Sequence, residues 1–376
     1  MFIGIEAAHA NKPDRTGVEE YCFQIIQELK KIIPSDVRVV LYTNKPLAGE
    51  LKVLPPHWEE HILHWPLSKG WSQVRLALEL FRRPPDLFFA PGQLVPFVCP
   101  KNTVTMVHDS SFIPFPAAYT FLARPYLKLM NRLVLFWSKV VITSTAFNQR
   151  EMVTYYGKKI EPKIKVVPLA YNRELYRPLT PLSVAQEAWL KKITNDDPFI
   201  LSVGRLEEKK NTRRIVEAFG LLRARHPESK LRLVLVGKPR VGFGGVAEAI
   251  EKSPFREGII QPGYVWNDDL VLLYNRAEAF IFPSLYEGFG IPILEAMGSG
   301  CPVVTATGSA LEEVGGIAAL YVNPNKTEDI TQALEKVVLN PLEKARLRTL
   351  GLKRAQEFSW GQTASATWKI FKEMVV

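Results

Sequence analysis

Two carboxylates, Glu287 and Glu295, lie eight positions apart and bracket the run Gly-Phe-Gly-Ile-Pro-Ile-Leu. The apolar stretch 279–282 ahead of them reads as a strand and 291–299 as a helix, so the order is strand, tight turn, helix. Gly288 and Gly290 are free to take positive φ and leave backbone N–H groups bare at the helix start. Bare amides at the positive end of a helix dipole suit a phosphate or a sugar hydroxyl. Glu287 stands on the turn beside whatever occupies that mouth. Glu295, about two helical turns on, returns to roughly the same face. A glycine turn with a capping Glu and an exposed helical Glu gives the same pattern.

A second constellation follows the buried-strand run Phe199-Ile-Leu-Ser-Val203, in Gly204-Arg-Leu-Glu-Glu-Lys-Lys210-Asn211. Arg205 and Lys210 are cations on a loop between a strand and a helix, a placement that suits a diphosphate. Arg grips an oxygen pair in a fork, whereas Lys acts as a compact point charge. Lys209 is the alternative register for the second cation. Two further positions follow strand-like runs in the first half: Gly17, in the loop 6–21 leading into a helix, and the pair His108-Asp109 after 103–107. Gly17 also reads as a plain helix-start residue, and a His after a strand is often a satisfied turn residue.

The segment from Phe282 to Val304, with Pro-Ser-Leu-Tyr-Glu-Gly-Phe-Gly-Ile-Pro-Ile-Leu-Glu-Ala-Met-Gly-Ser-Gly-Cys-Pro-Val-Val (283–304), resembles the signature of family 4 of the retaining, nucleotide-sugar-dependent glycosyltransferases. The resemblance implies an α/β fold of the GT-B type: two Rossmann-like, doubly wound domains facing each other across a cleft. It places Glu287 on the transferred sugar and Glu295 on the nucleotide ribose. Gly288, Phe289, Gly290, Ile291 and Leu294 of the same signature join the donor site. It assigns Arg205 and Lys210, with Lys209 beside them, to the donor diphosphate and Gly17 to the phosphates, although Glu19 stands where relatives often have a second glycine. His108, with Asp109, is expected to reach the donor sugar from the opposite wall. Gly263, Tyr264 and Val265 resemble the loop on which the nucleobase rests.

The elements that must position these residues are legible in outline. Short apolar runs alternate with amphipathic helical stretches, which predicts parallel sheets of βαβ units. Strands are predicted at 2–6, 37–42, 86–90, 103–107, 139–143 and 164–167. After the polar, proline-marked stretch 172–181, read as a linker, they resume at 199–203, 231–236, 258–261, 279–282, 302–305 and 319–322. Helices are predicted near 17–32, 71–82, 121–137, 145–156, 211–225, 245–252, 267–275, 291–299 and 327–339. The expected domains are 1–175, binding the acceptor, and 176–359, binding the donor. A final helix at about 360–376 is expected to cross back to the first domain, as in GT-B enzymes.

Composition sets the bounds. The 376 residues are 47% hydrophobic and 23% charged, ordinary values for two globular domains. Three scattered cysteines show no zinc spacing, which fits reduced thiols in a cytoplasmic protein. No run reaches a membrane span and no leader precedes the first strand. The six histidines form no ligand cluster and there is no Asp-x-Asp, so catalysis without a metal and without a cofactor is expected. Of the net +10, residues 1–175 carry +7 (22 Lys/Arg against 15 Asp/Glu). That balance suits an anionic membrane surface or a phosphorylated acceptor as readily as a solvated surface. No nucleic-acid motif accompanies it.

The expected activity is metal-independent transfer of a hexose, with retention, from a nucleotide sugar to a hydroxyl of a glycan or lipid-linked acceptor. GDP-mannose is favoured as donor and UDP-sugars come next. The expected place is the cytoplasm, with peripheral contact at the inner face of the membrane. A nucleotide-sugar epimerase or hydrolase of the same fold, or a non-catalytic nucleotide-sugar binder, is the alternative.

Overall fold

The computed structural model describes every residue except 14, 16, 68, 94, 112, 114–122, 241 and 376, and every side chain of those except 123, 124, 126 and 375. Phe121, the side chains of Arg124 and Tyr126, and positions 112 and 114–116 after His108 therefore lie outside the described residues. The chain divides into two compact units, Met1–Leu169 with Trp360–Val376, and Ala170–Ser359.

The first unit begins β1 (Phe2–Glu6), α1 (Gly17–Ile32), β2 (Arg38–Thr43) and β3 (Trp58–Ile62). A π-helical stretch, Trp71–Leu76, runs into α2 (Ala77–Arg82), followed by β4 (Leu87–Ala90) and β5 (Thr103–Val107). Then come α3 (Ala123–Trp137), β6 (Val140–Thr143), α4 (Ala146–Tyr156) and β7 (Ile164–Val166). The second unit holds α5 (Val184–Thr194), β8 (Phe199–Val203), α6 (Thr212–Arg225), β9 (Arg232–Val236) and α7 (Phe243–Lys252). It continues with β10 (Ile259–Gly263), α8 (Asn267–Arg276), β11 (Ala279–Phe282), α9 (Ile291–Gly298) and β12 (Val303–Ala306). It closes with α10 (Ala310–Gly315), β13 (Ala319–Val322), α11 (Thr327–Leu339) and α12 (Pro341–Ala355), and α13 (Trp360–Val375) follows.

Both sheets are wholly parallel. Their orders are β3-β2-β1-β4-β5-β6-β7 and β10-β9-β8-β11-β12-β13, each reversing direction beside its first strand as doubly wound sheets do. Central strands such as Leu87–Ala90 and Val303–Ala306 are buried along their whole length, because helices cover both faces of a parallel sheet. In β4 the alternation of side chains sends Phe89 to Phe371 of α13, at 5.2 Å between rings. Phe88 and Ala90 go to the other face, where Trp71, Leu76, Leu80, Val134 and Leu135 form one core with them.

Three features depart from expectation. The edge strand β3 lies where no strand was predicted; only its Trp58 is buried, and its Glu59 pairs with Arg38 of β2 at 2.9 Å. Helices α5, α10 and α12 occupy stretches predicted as connections. The stretch 172–181 is not a free linker: Arg173 donates to the carbonyls of Phe358 and Gln356 at 2.7 and 2.5 Å, and Tyr176 packs edge-on to Tyr274 at 5.8 Å. Those contacts fasten residues 170–176 to the second unit, so the division falls at Leu169/Ala170 and not at 175/176.

Candidate active site

In the second unit the predicted residues gather where the strands end. β8 and β11 are neighbours, which sets the loops that follow them side by side. The Leu285 N–H donates to the Lys209 carbonyl at 2.9 Å. Lys210 crosses from one loop to the other and meets Glu287 Oε1 at 2.5 Å, with its Nζ 4.8 Å above the ring of Phe282. Both side chains are largely buried, 20% and 11% exposed. A half-enclosed ion pair of this kind is held by geometry, and removing either partner strands the other charge. Of the two neighbouring lysines, Lys210 is the one that meets Glu287.

Asn211 explains why the loop holds that shape. It sits in the left-handed region at φ 60°, and its buried amide donates to the carbonyls of Pro283 and Pro324 at 3.1 and 2.6 Å. One side chain thus ties together the segments after β8, β11 and β13. Nothing in the sequence pattern singled it out, although Asn is the non-glycine residue most at home at positive φ. Gly204 takes φ 151° past the strand, and its carbonyl lies 1.8 Å from where a Cβ on Gly237 would stand. The close approach of the loops after β8 and β9 therefore requires glycine at 237. Leu206 N donates to the Lys238 carbonyl and Arg240 N to the Leu206 carbonyl, so these loops run as a pair. They present Arg205, Lys238 and Arg240, all exposed. Lys238 and Arg240 were not foreseen.

The turn before α9 departs from expectation in one detail. Gly290 caps the helix at φ 101°, whereas Gly288 does not take positive φ. Pro292 in the first turn supplies no N–H and so adds none to those left bare. Phe289 packs on Phe358 at 5.9 Å and Leu294 is fully buried. Their side chains belong to the core, which leaves only their backbone for a ligand, while Ile291 is half-buried. Glu295 accepts a hydrogen bond from Tyr274 Oη at 3.1 Å. Burial above all, with the charge of Glu295, pushes the Tyr274 phenol well above its ordinary range and keeps it a donor. Gly263 ends β10 at φ 78°; after it, Val265 is buried and Tyr264 is half exposed. Tyr264 meets Trp266 edge-on at 5.0 Å, with Lys238 Nζ 5.3 Å from its ring.

In the first unit, His108 follows β5. Its Nε2–H donates to the Pro91 carbonyl at 3.1 Å, and its ring lies edge-on to Tyr21 at 5.0 Å. Burial pushes its pKa down to about 4, against the pull of that carbonyl and of Asp109. Asp109 accepts from the Ser111 N–H and hydroxyl at 3.2 and 2.9 Å. Sequence reasoning passed over the pair at the end of β1: buried Glu6 accepts from His9 Nδ1 at 2.8 Å, and its charge holds the His9 pKa above the usual value. Gly17 opens α1 without positive φ and with open space beside it. Among the described residues, no group of three or more His, Cys, Asp or Glu is placed to hold a metal ion.

The second unit matches a family model, "Glycosyl transferases group 1", over residues 185–354. The O-antigen chain mannosyltransferase B of Escherichia coli is 30% identical over 322 residues, covering 83% of this chain and 78% of that protein. The chain belongs to the group 1 glycosyl transferases. The resemblance read from the segment 282–304 is borne out. The serotype-specific mannosyltransferase WbdA of Escherichia coli is also 30% identical, over 70% of this chain but only 32% of its own length. A crystal structure of Anabaena Alr3699/HepE in complex with UDP and glucose superposes with a TM-score of 0.75 at 16% identity, over 99% of each chain. The fold of this glycosyltransferase is therefore GT-B. Among the described residues, no helix is long and apolar enough to cross a membrane.

Proposed function

We propose that this enzyme moves a hexose from a nucleotide sugar, GDP-mannose first and a UDP-sugar second, to a hydroxyl of a glycan or lipid-linked acceptor at the membrane. Transfer proceeds with retention at the anomeric carbon, without metal or cofactor. The observation that carries this reading is the Lys210–Glu287 pair, which joins the loop bearing the exposed Arg205 to the turn before α9. Such a cluster offers positive charge to a departing nucleoside diphosphate and a carboxylate to the sugar leaving it. The bond from the anomeric carbon to the phosphate oxygen breaks, and the acceptor oxygen bonds to that carbon on the same face. The acceptor proton passes to the departing phosphate. Arg205, Lys210 and the helix amides stabilise the charge building there, which is the largest catalytic effect in preorganised sites.

Glu295, aimed by Tyr274, is assigned to the ribose hydroxyls. Gly263, Tyr264 and Val265 are assigned to the nucleobase, with Lys209 and Gly17 near the phosphates. The neutral imidazole of His108, its Nε2–H held by the Pro91 carbonyl, leaves Nδ1 to accept a hydrogen bond from a sugar hydroxyl at pH 7. The mannose preference rests on the two Escherichia coli relatives, which are mannosyltransferases by name. Thermal-shift titration with GDP-mannose, UDP-glucose and their nucleotides tests the reading, because saturating ligand raises stability by RT ln(1 + [L]/Kd). Stabilisation by GDP-mannose above that by UDP-sugars is expected. No shift with any nucleotide sugar would overturn it.

A further inference from the structure

All three exposed phenylalanines among the described residues lie in the first unit: Phe81 at 71%, Phe97 at 47% and Phe136 at 77%. The helices carrying two of them, the Trp71–Arg82 stretch and α3, pack on the same sheet face through one core. Outward, the first shows Val74, Leu78 and Phe81 at helical spacing, and α3 shows Leu129 and Phe136. The loop carrying Phe97 bridges them. Gln73 donates to the Val95 carbonyl at 3.2 Å and accepts from the Phe97 N–H at 2.9 Å, while Phe97 meets Trp137 edge-on at 5.7 Å. Beside this bridge opens a cavity of about 480 Å³ lined by Phe97, Val98, Phe136 and Trp137 together with Lys101 and Lys139.

The charge around this apolar surface is mostly positive, and the exposed Asp86 at its margin is engaged by the Phe2 N–H at 2.7 Å. Arg82, Arg83, Lys101, Lys128 and Arg132 are exposed and form no ion pair among the described residues. Between positions 87 and 150 the sequence holds a single acid, Asp109, which lies beyond the C-terminal end of β5. Glu79, on the neighbouring helix, is buried and paired with Arg75 at 3.0 Å. We propose that this face is a docking surface for a bilayer rich in anionic lipid, its phenylalanines entering the headgroup boundary and its cations meeting the headgroups. The proposal names the surface for the membrane contact in the function proposed above and rests on that reading. An apolar ridge flanked by unpaired Lys and Arg matches interfacial binding. A protein partner in a cationic socket of this kind would have to bring acids and an apolar groove together.

The test is co-sedimentation of the whole protein with phosphatidylcholine vesicles, with and without phosphatidylglycerol, at low and high salt. Binding is expected only with phosphatidylglycerol, weakening as salt rises. Lys128→Glu and Arg132→Glu should each weaken it by about fivefold or more. Phe81→Ser with Phe136→Ser should weaken it by roughly tenfold or more, with an unchanged circular-dichroism melt. No binding by the unaltered protein, or binding indifferent to these substitutions, would overturn the proposal. Self-association without lipid that the same substitutions abolish would overturn it too, assigning the face to a second copy. Nucleotide release from GDP-mannose in detergent, with a soluble acceptor, reports on the function separately. Vesicle binding without that release would sink the function and leave the surface.

Discussion

Glu287 and Lys210 are chemically a single unit, and their variants should behave as one. Glu287→Ala should lower kcat, because this carboxylate is assigned to the group that moves. Glu295→Ala and Tyr274→Phe should mainly raise the donor KM, since ribose contacts act alike in ground and transition states. Unchanged kinetics in all three would remove the site assignment. Arg205→Ala should cost about 3 kcal/mol in kcat/KM, the usual loss for one preorganised donor to a developing anion. The Lys210→Ala/Glu287→Ala double variant should lose less than the sum of the single losses, because each single change leaves a largely buried charge unpaired. His108 gives a pH prediction. Its folded pKa is depressed to about 4, so its contribution is whole above the unfolded value near 6.5 and fades as pH falls towards 4. By pH 5 the fade amounts to about 2 kcal/mol. Denaturant unfolding at pH 7.5 and pH 5 should show that loss in the wild type and a smaller one in His108→Gln; equal losses would refute it.

At the scale of elements, close approach governs. Gly237→Ala should destabilise by about 2–3 kcal/mol, since φ is 144° and the new Cβ falls on the Gly204 carbonyl. Gly290→Ala meets Leu311 Cδ2 at 2.6 Å with φ 101° and should cost a similar amount. Unchanged urea midpoints would remove this account of the loops. Which elements the sequence discloses follows from where burial acts. Central strands buried on both faces give continuous apolar runs, and their predicted positions lie within a few residues of those observed. The edge strand Trp58–Ile62 escapes because the exposed Glu59 and Glu60 break its apolar run, as charges on edge strands do. Helix α12 escapes because its charged sequence shows little apolar periodicity. Its start was nevertheless written: Asn340 accepts from the N–H groups of Leu342 and Glu343, with Pro341 leading the helix. Ser183 and Gln186 likewise form a capping box at α5. In the site, charges near glycine turns were legible, while Asn211 and Tyr274 were not. Their partners are backbone carbonyls and a carboxylate distant in sequence, and only the fold brings those near.

At the scale of the molecule, transfer should survive excess EDTA, because the described residues offer no acidic cluster to hold Mg²⁺ or Mn²⁺. A radiolabelled transfer assay with and without chelator checks this, and an obligatory metal would overturn the proposed chemistry. The order of the two sheets follows from repeated right-handed crossovers, and so the fold class could be read from alternation alone. Helix α13 could be expected to return only through the family resemblance. It packs against α1 of the first unit, with Phe371 on Phe89, and Thr363 Oγ1 donates to the Pro168 carbonyl at 2.8 Å. This return inverts the timetable of synthesis. Domains emerging from a ribosome usually close in chain order, yet here the second unit, contiguous from Ala170 to Ser359, is complete before the first has received its last helix. Ribosome-stalled chains with α12 but not α13 outside the exit tunnel should resist protease over 170–359 and be cut within 1–169, and release of α13 should close both. A nascent first unit therefore waits with its α1 flank open, and any helper that shields it must let go late.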